Sequence, residues 1–366
     1  MLSRTLLSVY TVSPFFTGPI LLGLPPSHDT TDPGGPTSTS SSSWESLPPH
    51  KDEDQVQLDV NRAFIYYPNN QTPSQLAHQK SLLSALIVSL LRTHPYLCYF
   101  QGYHDIAQVL LLLLPPHLQL PSLTRLSLFH IRDFMLPSLA PAITQLRLIP
   151  SILRLADPQL WHHLSATEPF FALSGTLTMY AHDITTLGEI TRLFDVLLAR
   201  DPPFTVYLFA AIVRSRRDEL FATPRREPEM LHSILSKLPA PLDLEGLVAE
   251  AARLEARFPP ESLPAWRGVS RWSVLKTGRR RPGSGGGEVD VEQGRVWFER
   301  QVAELRWEER KKEARKWVWR HRGPARAVGV AVLVAVVAVL LRRSQLPAPV
   351  VQGLGYLSGL LARWWR

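Results

Sequence analysis

The segment Tyr99-Phe100-Gln101-Gly102-Tyr103-His104-Asp105 sets an amide, a glycine, an imidazole and a carboxylate between two apolar runs. Polar groups in such surroundings cost free energy unless they are partnered or used. Apart from chemistry, the residue types allow a helix start capped by His104 or Asp105, or a loop buried for no functional reason. A second constellation, Val56-x-x-Asp59-x-x-Arg62, puts a carboxylate and a guanidinium three residues apart, where a helix would let them interact on one face. Alone it defines no reaction, because a solvated surface pair has the same spacing.

Other reaction chemistries find no support. The run Gly283–Gly287 lacks the Gly-Lys-Ser/Thr of a phosphate-binding loop, so the chain is expected to bind no nucleotide by itself. No Gly-x-Ser-x-Gly turn occurs. His162, His163 and His182 lack metal-ligand spacing, and are expected at the surface or in the core. Cys98 is the only cysteine, which excludes an intrachain disulfide and fits a cytosolic domain. With no second signature beside it, a buried structural thiol is expected.

Helices must position these residues. Leu58, Phe64 and Ile65 follow helical spacing up to Tyr67-Pro68. Pro73 or Ser74 opens a second helix carrying Leu76, Leu83, Leu86, Ile87, Leu90 and Leu91. A third apolar stretch, 106–114, stops at Pro115-Pro116. Further helices are expected over 121–135, 142–155, 158–164, 168–182, 186–199, 203–215, 229–237 and 243–257. Prolines 121, 137, 150, 202 and 203 mark their starts and stops. No alternating strand pattern or strand–helix–strand unit intervenes, so the fold class is all-α.

The 366 residues, 45% of them hydrophobic, suffice for one substantial domain with appendages. We place that domain at 51–262. Residues 1–50 read as an apolar N-terminus, weakly like a signal or transit peptide, followed by a disordered linker from 28. Residues 263–294 read as a flexible linker centred on TGRRRPGSGGGE. Residues 295–326 read as a basic amphipathic helix with Phe298, Val302 and Leu305 on one side. Next comes a transmembrane segment at 327–343, then a short apolar tail at 344–366 lying in the interface or folding back as a hairpin arm. The charge-free run 327–341 gives only about 22 Å of helix against a hydrocarbon core of about 30 Å, so a buried core helix is the competing reading. The lack of an amphipathic face and the flanking Arg326, Arg342 and Arg343 favour membrane insertion. The net charge of +8 is concentrated nearby, with ten Lys/Arg against five Glu between Arg295 and Arg322. That placement suits a cytoplasmic flank on anionic lipid better than nucleic acid, and no nucleic-acid partner is expected.

The two constellations together resemble the paired fingers of the TBC family of Rab GTPase-activating domains, whose signatures are Ile-x-x-Asp-x-x-Arg and Tyr-x-Gln-Gly. Val56 stands conservatively at the first position. The segments Phe129-His130-Ile131-Arg132-Asp133-Phe134-Met135, Phe170-Phe171-Ala172-Leu173-Ser174 and Arg192-Leu193-Phe194-Asp195 also resemble the family, and the likeness covers about 56–262. The strings Gly-Tyr-His-Asp-Ile and His-Ile-Arg-Asp-Phe-Met, with an apolar C-terminal tail, are closest to its endoplasmic-reticulum-anchored branch. The resemblance implies that Arg62 is an arginine finger and Gln101 a glutamine finger, supplied in trans to a GTP-bound Rab of the early secretory pathway. It also implies that Asp59, Tyr99, Gly102, Tyr103 and Asp105 support partner contact, and that Arg132 and Arg192 are structural ion-pair partners. GTP and magnesium would belong to the partner, leaving this chain without cofactor or metal. The domain would face the cytosol from an endoplasmic-reticulum membrane. One departure stands out: the family's upstream Trp- and Arg-bearing helix is missing or replaced, with only Pro19–Gly23 looking like its end. That departure keeps open a catalytically weak Rab-binding scaffold or membrane tether.

Overall fold

The computed structural model describes residues 17–24, 44–68, 71–278, 290–320 and 322–343. Most of the N-terminal segment, the glycine-rich part of the expected linker and the 344–366 tail lie outside the described residues. Among the described residues every regular element is helical and no strand occurs. The chain divides into two units, Met1–Ala303 and Glu304–Arg366.

In the first unit, α1 (Glu53–Val60), α2 (Pro73–Thr93), α3 (Tyr103–Leu113) and α4 (Pro116–Phe129) pack on one another. Helix α2 opens with a reciprocal cap. The Thr72 hydroxyl accepts from the Gln75 amide at 3.3 Å, the Gln75 side chain accepts from the Thr72 amide at 2.9 Å, and Pro73 pre-sets the first helical residue. Its inner residues Leu83, Ile87, Leu90 and Leu91 are fully buried, as are Ile106, Val109 and Leu110 of α3 and Leu123 and Leu126 of α4. Each such side chain stabilises the fold by about 1.5–3 kcal/mol. Beyond α5 (Ala140–Leu146), α6 (Leu148–Ala156) and α7 (Leu187–Ala199), helix α8 (Phe204–Ser215) is buried from Val206 through Val213. It packs against α6 and α9 (Leu244–Arg257), while α7 joins the two groups through α3.

Several expected boundaries shift. The first helix ends at Val60, so Arg62 lies in the turn beyond it and Phe64 adopts φ 63°. Helix α4 begins at Pro116, with Pro121 inside it rather than at its start; the proline forfeits one backbone bond at an exposed position. The helix expected over 142–155 breaks at Arg147 into α5 and α6. The stretch 168–182 divides into a 3-10 turn at Pro169–Ala172 and a short helix at Leu173–Leu177. It is followed by Met179 and Tyr180 at φ 50° and 65°. Residues 263–278, expected as flexible linker, fold onto the domain because Trp266, Val269, Val274 and Leu275 are apolar and become buried. Residues 17–24 also join it: the Thr17 amide and hydroxyl donate to Asp195 at 3.1 and 2.8 Å, and Arg125 Nε donates to the Leu22 carbonyl.

Helix α10 (Val291–Arg320) starts four residues before the expected 295, and its part up to Ala303 belongs to the first unit, where Phe298 and Gln301 are buried. Within the second unit, α10 exposes Trp307, Trp317, Val318 and Trp319, and α11 (Arg322–Arg343) exposes Val332, Leu333, Val334, Val339 and Leu340. Among the described residues, no helix is long and apolar enough to cross a membrane. The membrane helix expected at 327–343 therefore gains no support there.

Candidate functional site

Arg62 is placed by a carboxylate that the fold has taken out of water. Asp59, in the last turn of α1, is fully buried, whereas the Arg62 side chain is 62% exposed. Arg62 Nη2 donates to Asp59 Oδ1 at 2.7 Å, Gln55 Nε2 to the same oxygen at 3.2 Å, and the Tyr99 hydroxyl to Oδ2 at 2.9 Å. A buried carboxylate with three donors is a fixed point, and one edge of the guanidinium is tied to it. The other edge of Arg62 is left to solvent. Burial and the adjacent Asp59 carboxylate push the Tyr99 phenol well above its ordinary range, so it remains a donor.

Gln101 stands at the end of an irregular segment joining α2 to α3. The Tyr99 amide donates to Asp52 at 3.0 Å, and the Phe100 ring packs edge-on against Tyr103 and Phe134. The chain then turns sharply through Gly102 at φ 96°, a region open to glycine. A Cβ there would lie 2.7 Å from Thr178 Cγ2, so the position also requires the missing side chain. This turn leaves Gln101 exposed immediately before α3.

Arg62 and Gln101 line one open depression of about 460 Å³. Ile65 and Tyr66 form part of its rim and are exposed, while Ser174, Thr178 and His182 close the far side. Asp105, in the first turn of α3, is held between two imidazoles: His182 Nδ1 lies 2.9 Å from one oxygen and His104 Nε2 3.2 Å from the other. The hydrogen bond that His182 donates to Asp105 raises the pKa of His182, whereas burial lowers that of His104. Among the described residues the buried His104 Nδ1 has no hydrogen-bond partner; it lies 3.9 Å from Asp59. Gln108, buried on α3, accepts from the Phe64 amide at 2.9 Å and so fixes the turn carrying Ile65 and Tyr66. Among the described residues no cluster of His, Cys, Asp and Glu could hold a metal ion.

The geometry sorts the residues singled out by sequence. Arg62, Gln101 and Asp105 face the depression. Tyr103 does not: it is fully buried, with its hydroxyl 2.7 Å from Ser127, so it props α3 instead of shaping a contact. Gly102 is buried yet also lines the depression, whereas Asp59 is buried behind Arg62. Arg192 pairs with Glu245 at 2.7 Å. Arg132, expected in an ion pair, instead donates to the carbonyls of Leu128 and Trp272 and to Thr277. Cys98 is half-buried, 3.5 Å from Lys51 Nζ, and not the enclosed thiol expected. Gln108, Thr178 and Gln55 escaped the sequence reading, and His182 was read there only as a surface or core histidine, since their roles arise only from where the fold brings them.

The chain belongs to the Rab-GTPase-TBC domain family, whose model matches residues 22–221. It is 35% identical over 279 residues to GTPase-activating protein gyp10 of Schizosaccharomyces pombe, an alignment covering 75% of this chain and 72% of that one. It is 33% identical over 215 residues to TBC1 domain family member 20 of Bos taurus, covering 58% of this chain and 53% of the relative. A further relative, GTPase-activating protein GYP8 of Saccharomyces cerevisiae, is 32% identical over 158 residues, 37% of this chain and 31% of that one.

Proposed function

We propose that this chain activates GTP hydrolysis on a Rab-family GTPase, with Arg62 and Gln101 entering the partner's nucleotide site together. The observation carrying this reading is that both side chains line one open depression, the arginine already steered by a buried Asp59. Arg62 offers a permanent planar cation to the γ-phosphate and β–γ bridging oxygens, where charge builds in the transition state. Gln101 accepts from and donates to the attacking water, aligning it with the γ-phosphorus. Fingers supplied in trans accelerate such hydrolysis by up to about 10⁵-fold, or about 7 kcal/mol of barrier. Membership of the family and the likeness to gyp10 and GYP8, both GTPase-activating proteins, support the same activity.

The partner belongs to the early secretory pathway, and residues 327–343 attach the chain to the endoplasmic-reticulum membrane with the domain in the cytosol. The branch-like strings around Gln101 and Arg132 support the first, and the exposed valines and leucines of α11 the second. The deciding experiment is a GTP-hydrolysis screen of the chain against a Rab panel, with Arg62→Ala and Gln101→Ala as controls. At least one Rab should be hydrolysed orders of magnitude faster, and each substitution should remove most of that gain while the protein stays folded. Tight binding of a GTP-loaded Rab with unchanged hydrolysis would replace this reading with that of a scaffold.

A further inference from the structure

We propose that the first part of α10, residues 291–303, is a positioning element for the Gln101 segment, although none of its side chains faces the depression. The inference rests on the reading of Gln101 as the amide that aligns water.

Residues 94–102 contain no helix, so their course is set by anchors along their length. Two anchors lie toward Arg62: the Tyr99 amide on Asp52 and its hydroxyl on Asp59. The others lead toward the C-terminal helix. The Tyr96 ring lies 5.0 Å from Phe298, and the Arg295 guanidinium lies 5.9 Å from the Tyr96 ring. The Cys98 amide donates to the Met135 carbonyl at 2.9 Å, and Phe100 rests on Phe134 at 6.1 Å.

Phe134 and Met135 are themselves held by Asp133, and Asp133 is where the helix enters. This carboxylate is buried and accepts from four groups: Gln145 Nε2 at 2.7 Å, the Val274 amide at 3.0 Å, the Ser273 hydroxyl, and Gln301 Nε2 at 2.9 Å. Phe298 and Gln301 are three residues apart on α10 and only 4% and 1% exposed, so one helical face meets both ends of the support. Gly294, one turn earlier, lets the backbones come close: a Cβ there would sit 3.0 Å from Leu128 Cβ. Trp297 completes the seat, 6.2 Å from Phe129 and 5.4 Å from the Arg132 guanidinium. Removing either inner side chain lets Tyr96 or the Asp133 turn relax, and the movement reaches Gln101 through backbone already short of its own secondary structure.

The test uses the full chain with the Rab it activates, comparing Phe298→Ala, Gln301→Ala and the conservative Phe298→Leu. Leu247→Ala, in the buried face of α9, serves as a control of similar stability loss. The maximal hydrolysis rate should fall about tenfold or more for the two alanine variants, with the half-saturating Rab concentration within about twofold of the parent. Phe298→Leu should recover most of that rate, and Leu247→Ala should keep the parent rate below its melting temperature. The proposal is overturned if both alanine variants keep full rates, if Leu247→Ala loses as much, or if only the half-saturating concentration moves. A parent chain that activates no Rab refutes the function itself; an active parent with insensitive variants refutes this inference alone.

Discussion

Gly102→Ala perturbs the site without removing a functional group. The substitution meets two costs. An alanine at φ 96° occupies a region that side chains avoid, at about 1–3 kcal/mol. Its Cβ would also lie 2.7 Å from Thr178 Cγ2, where ordinary contact begins at 3.4 Å. Relieving the overlap takes a shift of about 0.7 Å, at a cost of the order of 1–3 kcal/mol. The total, about 2–6 kcal/mol, should appear as a lower denaturant midpoint with unchanged slope. Because Gln101 is the adjacent residue, a displacement of this size should also lower Rab-stimulated hydrolysis by tens of fold. The pair Gly102→Ala with Thr178→Ser separates the two costs. Serine keeps the hydroxyl that donates to the Ser174 carbonyl at 2.9 Å but lacks the methyl. The double variant should therefore recover the steric share and retain the backbone share, a positive coupling in a double-mutant cycle. An alanine variant as stable and active as the parent would refute the assignment of Gly102, and zero coupling would refute the role of Thr178.

Other substitutions probe the carboxylates on either side of the fingers. Tyr99→Phe removes one of three donors from buried Asp59 and should cost about 1.5–3 kcal/mol in thermal or chemical melts. Its loss of hydrolysis should be smaller than that of Arg62→Ala, because the bond from Arg62 to Asp59 remains; an equal loss would mean that Tyr99 touches the partner. His182 has a folded-state pKa raised by Asp105, so its contribution to stability is fully present below the unfolded value of about 6.5 and fades as pH rises through the folded value. The stability gap between parent and His182→Gln should therefore be widest in mildly acidic buffer and close toward alkaline pH. A gap that widens with pH would refute the His182–Asp105 pairing.

Helices with one buried stripe were readable because their periodicity is local. The run from Leu83 to Leu91 and the limits of α7, α8 and α9 needed no knowledge of the rest of the chain. The functional pair was readable only as a likeness, since an Asp and an Arg three residues apart are common. Nothing near Asp59 announces its burial, which depends on Tyr99, 40 residues later. The same holds for Asp105 and His182, 77 residues apart. Glycine, arginine and proline from 277 onward suggested a linker, yet Trp266 and Val274 just before them are drawn into the domain by partners no local pattern reveals. Pro121 misled for a related reason: burial of Leu123 and Leu126 carries the helix through a residue that usually ends one.

The four donors of Asp133 have a consequence for the chain as it is made. Gln145 follows 12 residues later, but Ser273 and Gln301 follow 140 and 168 residues later. At a translation speed of about 5–20 residues per second, Gln301 leaves the ribosome roughly 8–35 s after Asp133. During that interval the nascent polypeptide holds an acidic group short of its last ligands. Assembled in this order, the buried Asp133 cluster closes only once residue 301 has emerged.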